Sequence, residues 1–307
     1  MDDLAETFET RVLPFDEGAV DTERPGGLPK GSAHRPRHRA SSIAISVLSV
    51  AVGIVLWQII GQFLVGNSLF LATPLQTLHG IGSMWSAGSL QKDLLVSGEE
   101  FIVGFLLGSA AGIAIGTIIA KNRVAKRILT PYISGFYATP IIALAPILIL
   151  WFGLGISSKV VVVVSLVIFP QIISTEAGIR TTEETLCDVA RSFGASTFQV
   201  FEKVEIWWSL PYVLAGLRLG VGRALIGVVV GELFGANAGL GYAINNAQSE
   251  FNMPQLFAGV AIFAVAGIVF TYLLTVLERI LAPWATNRPQ CLRPPRLRLC
   301  FRLARSN

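Results

Sequence analysis

The chain has 307 residues, 52% of them hydrophobic and 14% charged, and its mean hydropathy is +0.62. That balance excludes an ordinary soluble domain and fits a chain that crosses a membrane several times. The pI of about 9.1 reflects Lys and Arg held in loops on one side of a membrane, and does not require a nucleic-acid partner. Cys187, Cys291 and Cys300 are scattered, as are His34, His38 and His79. Neither set has the spacing of a metal site or a disulfide framework.

Residues 1–41 read as a disordered cytoplasmic tail. They open acidic, with Asp2, Asp3, Glu6 and Glu9, and lack the apolar run of a signal peptide. Pro25, Gly26, Gly27, Pro29, Gly31 and Pro36 oppose packing, and His34–Arg39 is basic. Residues 42–92 then hold a first span, Ile43 to Val65, and an external connector. Leu75, Leu78, Ile81 and Trp85 repeat at three and four, which predicts an interfacial helix in that connector.

The second span runs from about Glu99 to Ala120. Gly104, Gly108, Gly112 and Gly116 fall four apart on it, a bare ridge that lets another helix come close. Lys121, Arg123, Lys126 and Arg127 read as a short basic loop. The third span, Tyr132 to Gly155, is bent or broken by Pro140 and Pro146. The fourth, Lys159 to about Thr175, is rich in valine. A polar loop, 176–211, precedes the fifth span, Val213 to about Phe234. That span carries Gly216, Gly220, Ala224, Gly227, Gly231 and Gly235 at three and four, the stripe of a helix-packing face or of a seam between two copies. A connector without Lys or Arg leads to the sixth span, Gln255 to about Leu281, and residues 283–307 form a basic tail. The fold expected is an all-α membrane protein of six transmembrane helices.

Lys and Arg set the orientation. Twenty of the 24 fall in the two tails, the 121–127 loop and the polar loop, against Lys92 and Lys159 on the other side. That asymmetry predicts both termini in the cytoplasm. Arg218, Arg223 and Glu232 lie within the fifth span, where charge is costly against lipid. Arg223 and Glu232 point to opposite faces of a helix and do not pair. Glu232 is a candidate pathway residue, or else an interfacial carboxylate near the outer surface.

No G-x-x-x-x-G-K-[ST] loop, H-E-x-x-H motif or Cys/His cluster is present. No cofactor or metal is therefore expected, and no catalytic residue. An intramembrane hydrolase lacks a histidine within the spans to act as base. An ion-coupled secondary transporter would need carboxylates in several spans, and only Glu232 qualifies.

The most informative stretch is Asp188–Pro211. It reads as two short helices joined at Gly194, with Phe198, Phe201 and Val204 at helical spacing in the second, a form suited to a partner's groove. Asp188–Val189–Ala190, Gly194, and Val204-x-Ile206 resemble the EAA-x-x-x-G-x₉-I-x-L-P loop of permease subunits in bacterial ATP-binding-cassette importers. ARSFGAS, LPYVLAGLRLGVGRALIGVVVGE, GLGYAI and WFGLG are similar to the sulfonate, taurine and nitrate branch, and the resemblance covers about Asp93 to Ile280. Asp188 stands where Glu is usual, Val189 replaces an alanine, and Trp207 replaces the usual proline, which leaves open how the second short helix ends.

The resemblance implies a type I importer permease domain over 93–282, in the bacterial inner (plasma) membrane. It would work as a homodimer with two ATPase subunits that bind the ATP and with a periplasmic or extracellular solute-binding protein. The membrane lipid is its solvent. The solute would be a sulfonate, taurine, nitrate or a thiamine-precursor pyrimidine. The residues implied for ATPase coupling are Asp188, Ala190, Arg191, Gly194, Ala195, Phe198, Phe201 and Val204. Asp188 would pair with a basic residue of the ATPase.

Overall fold

The computed structural model describes residues 39–65 and 69–286. Most of the expected N-terminal tail, and the basic tail beyond residue 286, lie outside the described residues. All regular elements among the described residues are helical. In chain order they are α1 (Arg39–Ile59) with a π-helical turn Ile60–Val65, α2 (Pro74–Ser86), α3 (Ser89–Lys121), α4 (Arg123–Ala138), α5 (Ile141–Phe152), α6 (Ile156–Arg180), α7 (Glu184–Ser192), α8 (Thr197–Val200) with a π-helical turn Phe201–Glu205, α9 (Ile206–Gly235), α10 (Leu240–Ser249), α11 (Met253–Leu281) and α12 (Pro283–Thr286).

The chain divides into two units, Met1–Val50 and Ala51–Asn307. The described part of the first is helical, and its Ile45, Val47, Leu48 and Val50 are exposed. The rest of the description concerns the second unit.

Four helical stretches among the described residues are long and apolar enough to cross a bilayer: α3, α6, the run Thr197–Gly235 and α11. A fifth arises if α4 and α5, bent by 99° at their junction, form one broken span. The apolar helical stretch Val47–Phe63, from α1 into its π-helical turn, is shorter than a span. The six expected spans thus become four or five among these residues.

Helix α6 lies between α3 and α9, and glycine makes both contacts close. A methyl group placed on Gly104 would lie 2.6 Å from the Val163 side chain. On Gly108 it would meet Val167, on Gly112 Gln171 and the Ile168 carbonyl, and on Gly116 Thr175 and the Ile172 carbonyl. The pairing advances in step along both chains, so α3 and α6 run parallel. On the other side of α6, Gly227 faces Val163 and Gly231 faces Lys159. That order is reversed, so α9 runs antiparallel. Helix α6 of the same chain therefore fills the Gly104–Gly116 ridge and the Gly227–Gly231 part of the second stripe, while Gly220 is nearest Phe105 of α3 and Gly235 meets Ile149 of α5. Phe101, Val163, Val167, Val221, Ala224 and Val228 form the core between the three helices, with Phe270 of α11 4.5 Å from the Phe101 ring. In lipid this close packing, and not burial from water, holds the helices together.

Several local expectations change. The basic 121–127 segment is not a loop: Lys121 ends α3, and Asn122 alone separates it from α4. The Asn122 carbonyl oxygen of the side chain accepts the amides of Val124 and Ala125 at 2.9 and 3.1 Å, which caps the new helix at once. The break in the third span falls at Thr139–Pro140, while Pro146 lies inside α5. The expected interfacial helix exists as α2, started by a Thr73–Gln76 capping box and Pro74. Its predicted apolar face is mostly turned outward, however: Leu75, Leu78 and Trp85 are exposed, and Thr77, Gly80 and Met84 are buried. Gly80 permits the backbone of Pro254 to approach closely. The 236–254 connector contains α10, which no apolar repeat announces.

Candidate functional site

The polar loop is shorter than expected because helices enter it from both sides. Helix α6 continues past Glu176 to Arg180, and only residues 181–183 lead into α7. Helix α7 ends in a Schellman motif: the Ala195 amide donates to the Ala190 carbonyl at 3.1 Å, and the Gly194 amide to the Arg191 carbonyl at 2.8 Å. Gly194 has φ +83° and open space around it, so its glycine is required by backbone conformation alone. Ser196 then caps α8, accepting the Gln199 amide while the Gln199 side chain accepts the Ser196 amide.

The second short helix does not end before the membrane. Helix α8 passes through the π-helical turn into α9, giving one helical run from Thr197 to Gly235. Trp207 stands where a proline would oppose this. Pro211 lies inside α9. The fifth span and the second half of the loop are one rod.

Three neighbours hold this rod at its base. Lys121, the last residue of α3, pairs with Glu205 and lies 5.0 Å over the Phe201 ring. Gly178 of α6 packs against Tyr212 and Ser209 of α9. Trp207 meets Trp284 of α12 edge-on at 5.9 Å. Lys126 pairs with Glu176 at 2.7 Å at the same end of the helices.

Of the residues expected to couple to a partner, Phe198 is 71% exposed, while Phe201 and Val204 are half-buried and brace the loop from within. Ala190 and Ala195 are also half-buried. Asp188 is exposed and bonded to Arg191 at 2.8 Å on its own helix. Leu186, Val189 and Phe193, the last 88% exposed, follow one face of α7 and its cap. With Phe198 they give the loop four exposed large apolar side chains, of which the sequence indicated only Phe198. Cys187 is buried behind α7. Burial, with the Glu205 carboxylate adding to it, pushes its thiol up, so it stays protonated and inert at neutral pH.

A polar cluster occupies the opposite end of the same three helices. Glu232 of α9 is 1% exposed. It accepts from Ser97 Oγ of α3 and from the Gly241 amide of α10, each at 2.5 Å. Ser97 Oγ in turn accepts the Leu240 amide at 2.8 Å, and Asp93 accepts the Gly239 amide at 2.9 Å. Three amides at the start of α10 are thus satisfied by side chains from α3 and α9, which also suits the positive end of the helix dipole. Lys159 of α6 is buried beside them and pairs with Glu100 of α3 at 2.8 Å. Glu100, Ser97, Asp93 and Lys159 were not anticipated as a group. The spacing of Asp93, Ser97 and Glu100 at four and three was the available signal, since it puts all three on one face of α3.

Residues 108–287 match the model of a family described as "Binding-protein-dependent transport system inner membrane component". The chain belongs to that family. It is a permease component of an importer and resides in the inner membrane. Over 272 residues it is 34% identical to a protein of Bacillus subtilis provisionally named an aliphatic sulfonates transport permease, covering 87% of this chain and 99% of that one. It is 33% identical over 230 residues to the formylaminopyrimidine transport permease protein of Halalkalibacterium halodurans, covering 75% and 91%. It is 27% identical over 247 residues to the taurine transport system permease protein of Escherichia coli, covering 79% and 90%. This permease therefore sits in the sulfonate and taurine branch. Its glycine stripes and polar cluster lie within, or just before, the matched region.

Proposed function

We propose that this permease carries a small sulfonate-type solute inward, driven by a separate ATPase that docks on the α7–α8 loop. The observation that carries the coupling is the unbroken helix from Thr197 to Gly235. A partner that moves α8 moves the whole of α9, because no flexible joint intervenes. The Lys121–Glu205 pair and the Gly178–Tyr212 contact pass the same displacement to α3 and α6. Small motion at a docked loop becomes rotation of packed helices, which alternating access requires.

The exposed row Leu186, Val189, Phe193 and Phe198 supplies the docking surface, in the helix-in-groove manner. Asp188 and Arg191 rim it, Gly194 and Ala195 set the turn, and Ala190, Phe201 and Val204 support it from behind. The basic residues around 121–127 and 180–203 support a cytoplasmic position for this end and for both termini, in a topology of six spans. The polar cluster is then external, where a solute-binding protein docks. There Glu232 works as a latch on α10, and its role in the pathway is to hold or release that helix. A second copy completes the transporter. It uses faces other than the Gly104–Gly116 and Gly227–Gly231 stripes, which α6 already fills. ATP is bound and hydrolysed by the partner, and this chain supplies no catalytic group.

The names of the relatives support a sulfonate or taurine as solute; a thiamine-precursor pyrimidine is the alternative that the Halalkalibacterium relative brings. Proteoliposomes holding the permease and its ATPase test the proposal. With the solute-binding protein present, an aliphatic sulfonate accumulates only with ATP. Uptake of the pyrimidine and not of the sulfonate would replace the solute. Uptake without the ATPase would overturn the mechanism.

A further inference from the structure

A second basic feature lies beside the coupling loop. Arg123, Lys126, Arg127 and Thr130 occupy one face of α4, at spacings of three and four. With Arg180, at the end of α6, they line a cleft of about 510 Å³. Four cations thus converge on one concavity, and among the described residues the one acidic group paired with any of them is Glu176, which binds Lys126 at 2.7 Å and reaches Arg180 at 4.0 Å. Arg123 and Arg127 are exposed, and no ion pair engages either among the described residues. The Thr130 hydroxyl oxygen is buried and has no hydrogen-bond partner. Such a set, with guanidinium forks, an ammonium and a free hydroxyl, is the chemistry that grips a phosphate group.

We propose that this cleft binds the phosphate of an anionic phospholipid. The phosphate could in principle come from lipid or from solution. The surface around the cleft decides for lipid. Val124 and Ile128 lie about 60–100° round α4 from Arg127, Tyr132 and Phe136 continue that row round the helix, and all four are more than half exposed. A basic concavity on one side of a helix and an apolar row on the next matches a headgroup with hydrocarbon beside it. An acidic protein surface or a free ion would leave that row without a partner. The bound headgroup would fasten α4 to the end of α6, one residue of chain away from Lys121 and thus from the base of the coupling rod.

Native mass spectrometry of the permease, purified with its ATPase, tests this. Phosphatidylglycerol and phosphatidylcholine are titrated in parallel, with inorganic phosphate as competitor. The wild type retains phosphatidylglycerol in preference to phosphatidylcholine, and millimolar phosphate does not displace it. Arg123→Gln/Arg127→Gln loses that preference by roughly ten-fold or more, since each basic residue near an anionic surface contributes measurably. Arg279→Gln, which removes one charge at the end of α11, leaves it in place. Both arginines are exposed, so the double variant inserts normally; if it does not, Arg123→Lys/Arg127→Lys keeps the charge and retains the lipid. Equal retention of both lipids by the wild type overturns the proposal. So does displacement by phosphate, which would identify free phosphate as the ligand. An equal loss in Arg279→Gln would mean a diffuse charge effect. Loss of the ATPase from the double variant with lipid unchanged would mean a protein contact.

Discussion

Ser97 on α3 donates to Glu232 on α9 at 2.5 Å while its own oxygen accepts the Leu240 amide of α10 at 2.8 Å. One buried hydroxyl joins three helices. Ser97→Ala leaves a buried carboxylate oxygen and a buried amide without that partner. Each such loss costs about 1–3 kcal/mol. Thermal unfolding of the purified permease is expected to fall clearly for Ser97→Ala, and far less for Ser86→Ala, whose hydroxyl is exposed. Equal shifts would mean that the α10 latch adds nothing.

The Lys159–Glu100 pair predicts a non-additive pattern. Removing one partner strands a buried charge, at about 3–5 kcal/mol. Lys159→Met and Glu100→Gln should each destabilise strongly, and the double variant should be more stable than the sum of the two implies. A double-mutant cycle by chemical denaturation measures the coupling. Additive effects would place Lys159 in solvent, as a loop residue.

The glycine ridge makes a steric prediction. At Gly112 an added side chain meets the Gln171 Cβ at 2.6 Å and the Ile168 carbonyl at 2.9 Å. Backbone cannot yield as a side-chain tip can, so Gly112→Val should force α3 from α6, with a cost of about 1–3 kcal/mol or more. Gly135→Val, at a position with nothing within 4 Å, should accumulate in membranes at nearly the wild-type level. Quantitative immunoblotting of membrane fractions separates them.

At Gly194 the demand is for φ +83° and not for space. Gly194→Asn should therefore keep much of the association with the ATPase, because asparagine tolerates the left-handed region. Gly194→Val should lose it, along with uptake, while inserting normally. Co-purification of the ATPase with each variant is the measurement. Equal behaviour of the two would remove the Schellman turn from the mechanism.

The glycine stripes and Gly194 were legible in the sequence because their signals are local: a period of four, and a turn that only certain residues accept. The facing of α2 was not. In a bilayer an apolar row can face lipid as well as protein, so Leu75, Leu78 and Trp85 mark the outward side while Thr77 is buried and Gly80 meets Pro254 of α11. Lys159 and Glu100 were hidden for a related reason. Each sits near the end of an apolar segment, where a charge reads as interfacial, and only the packing of α3 on α6 brings them together. The continuity of α8 with α9 was obscured by Glu202, Lys203 and Glu205. These charges look like a loop but lie on a π-helical turn, one of them fastened to Lys121.

Site-directed photo-crosslinking tests the coupling most directly. A benzophenone analogue replaces Phe198, on the exposed loop, or Phe251, exposed at the α10–α11 turn at the opposite end. In membranes containing the assembled importer, the Phe198 position should form a covalent adduct with the ATPase, and the Phe251 position should form none. An ATPase adduct at Phe251 with none at Phe198 would contradict the account, because nucleotide-driven force would then enter at the other end of the helices.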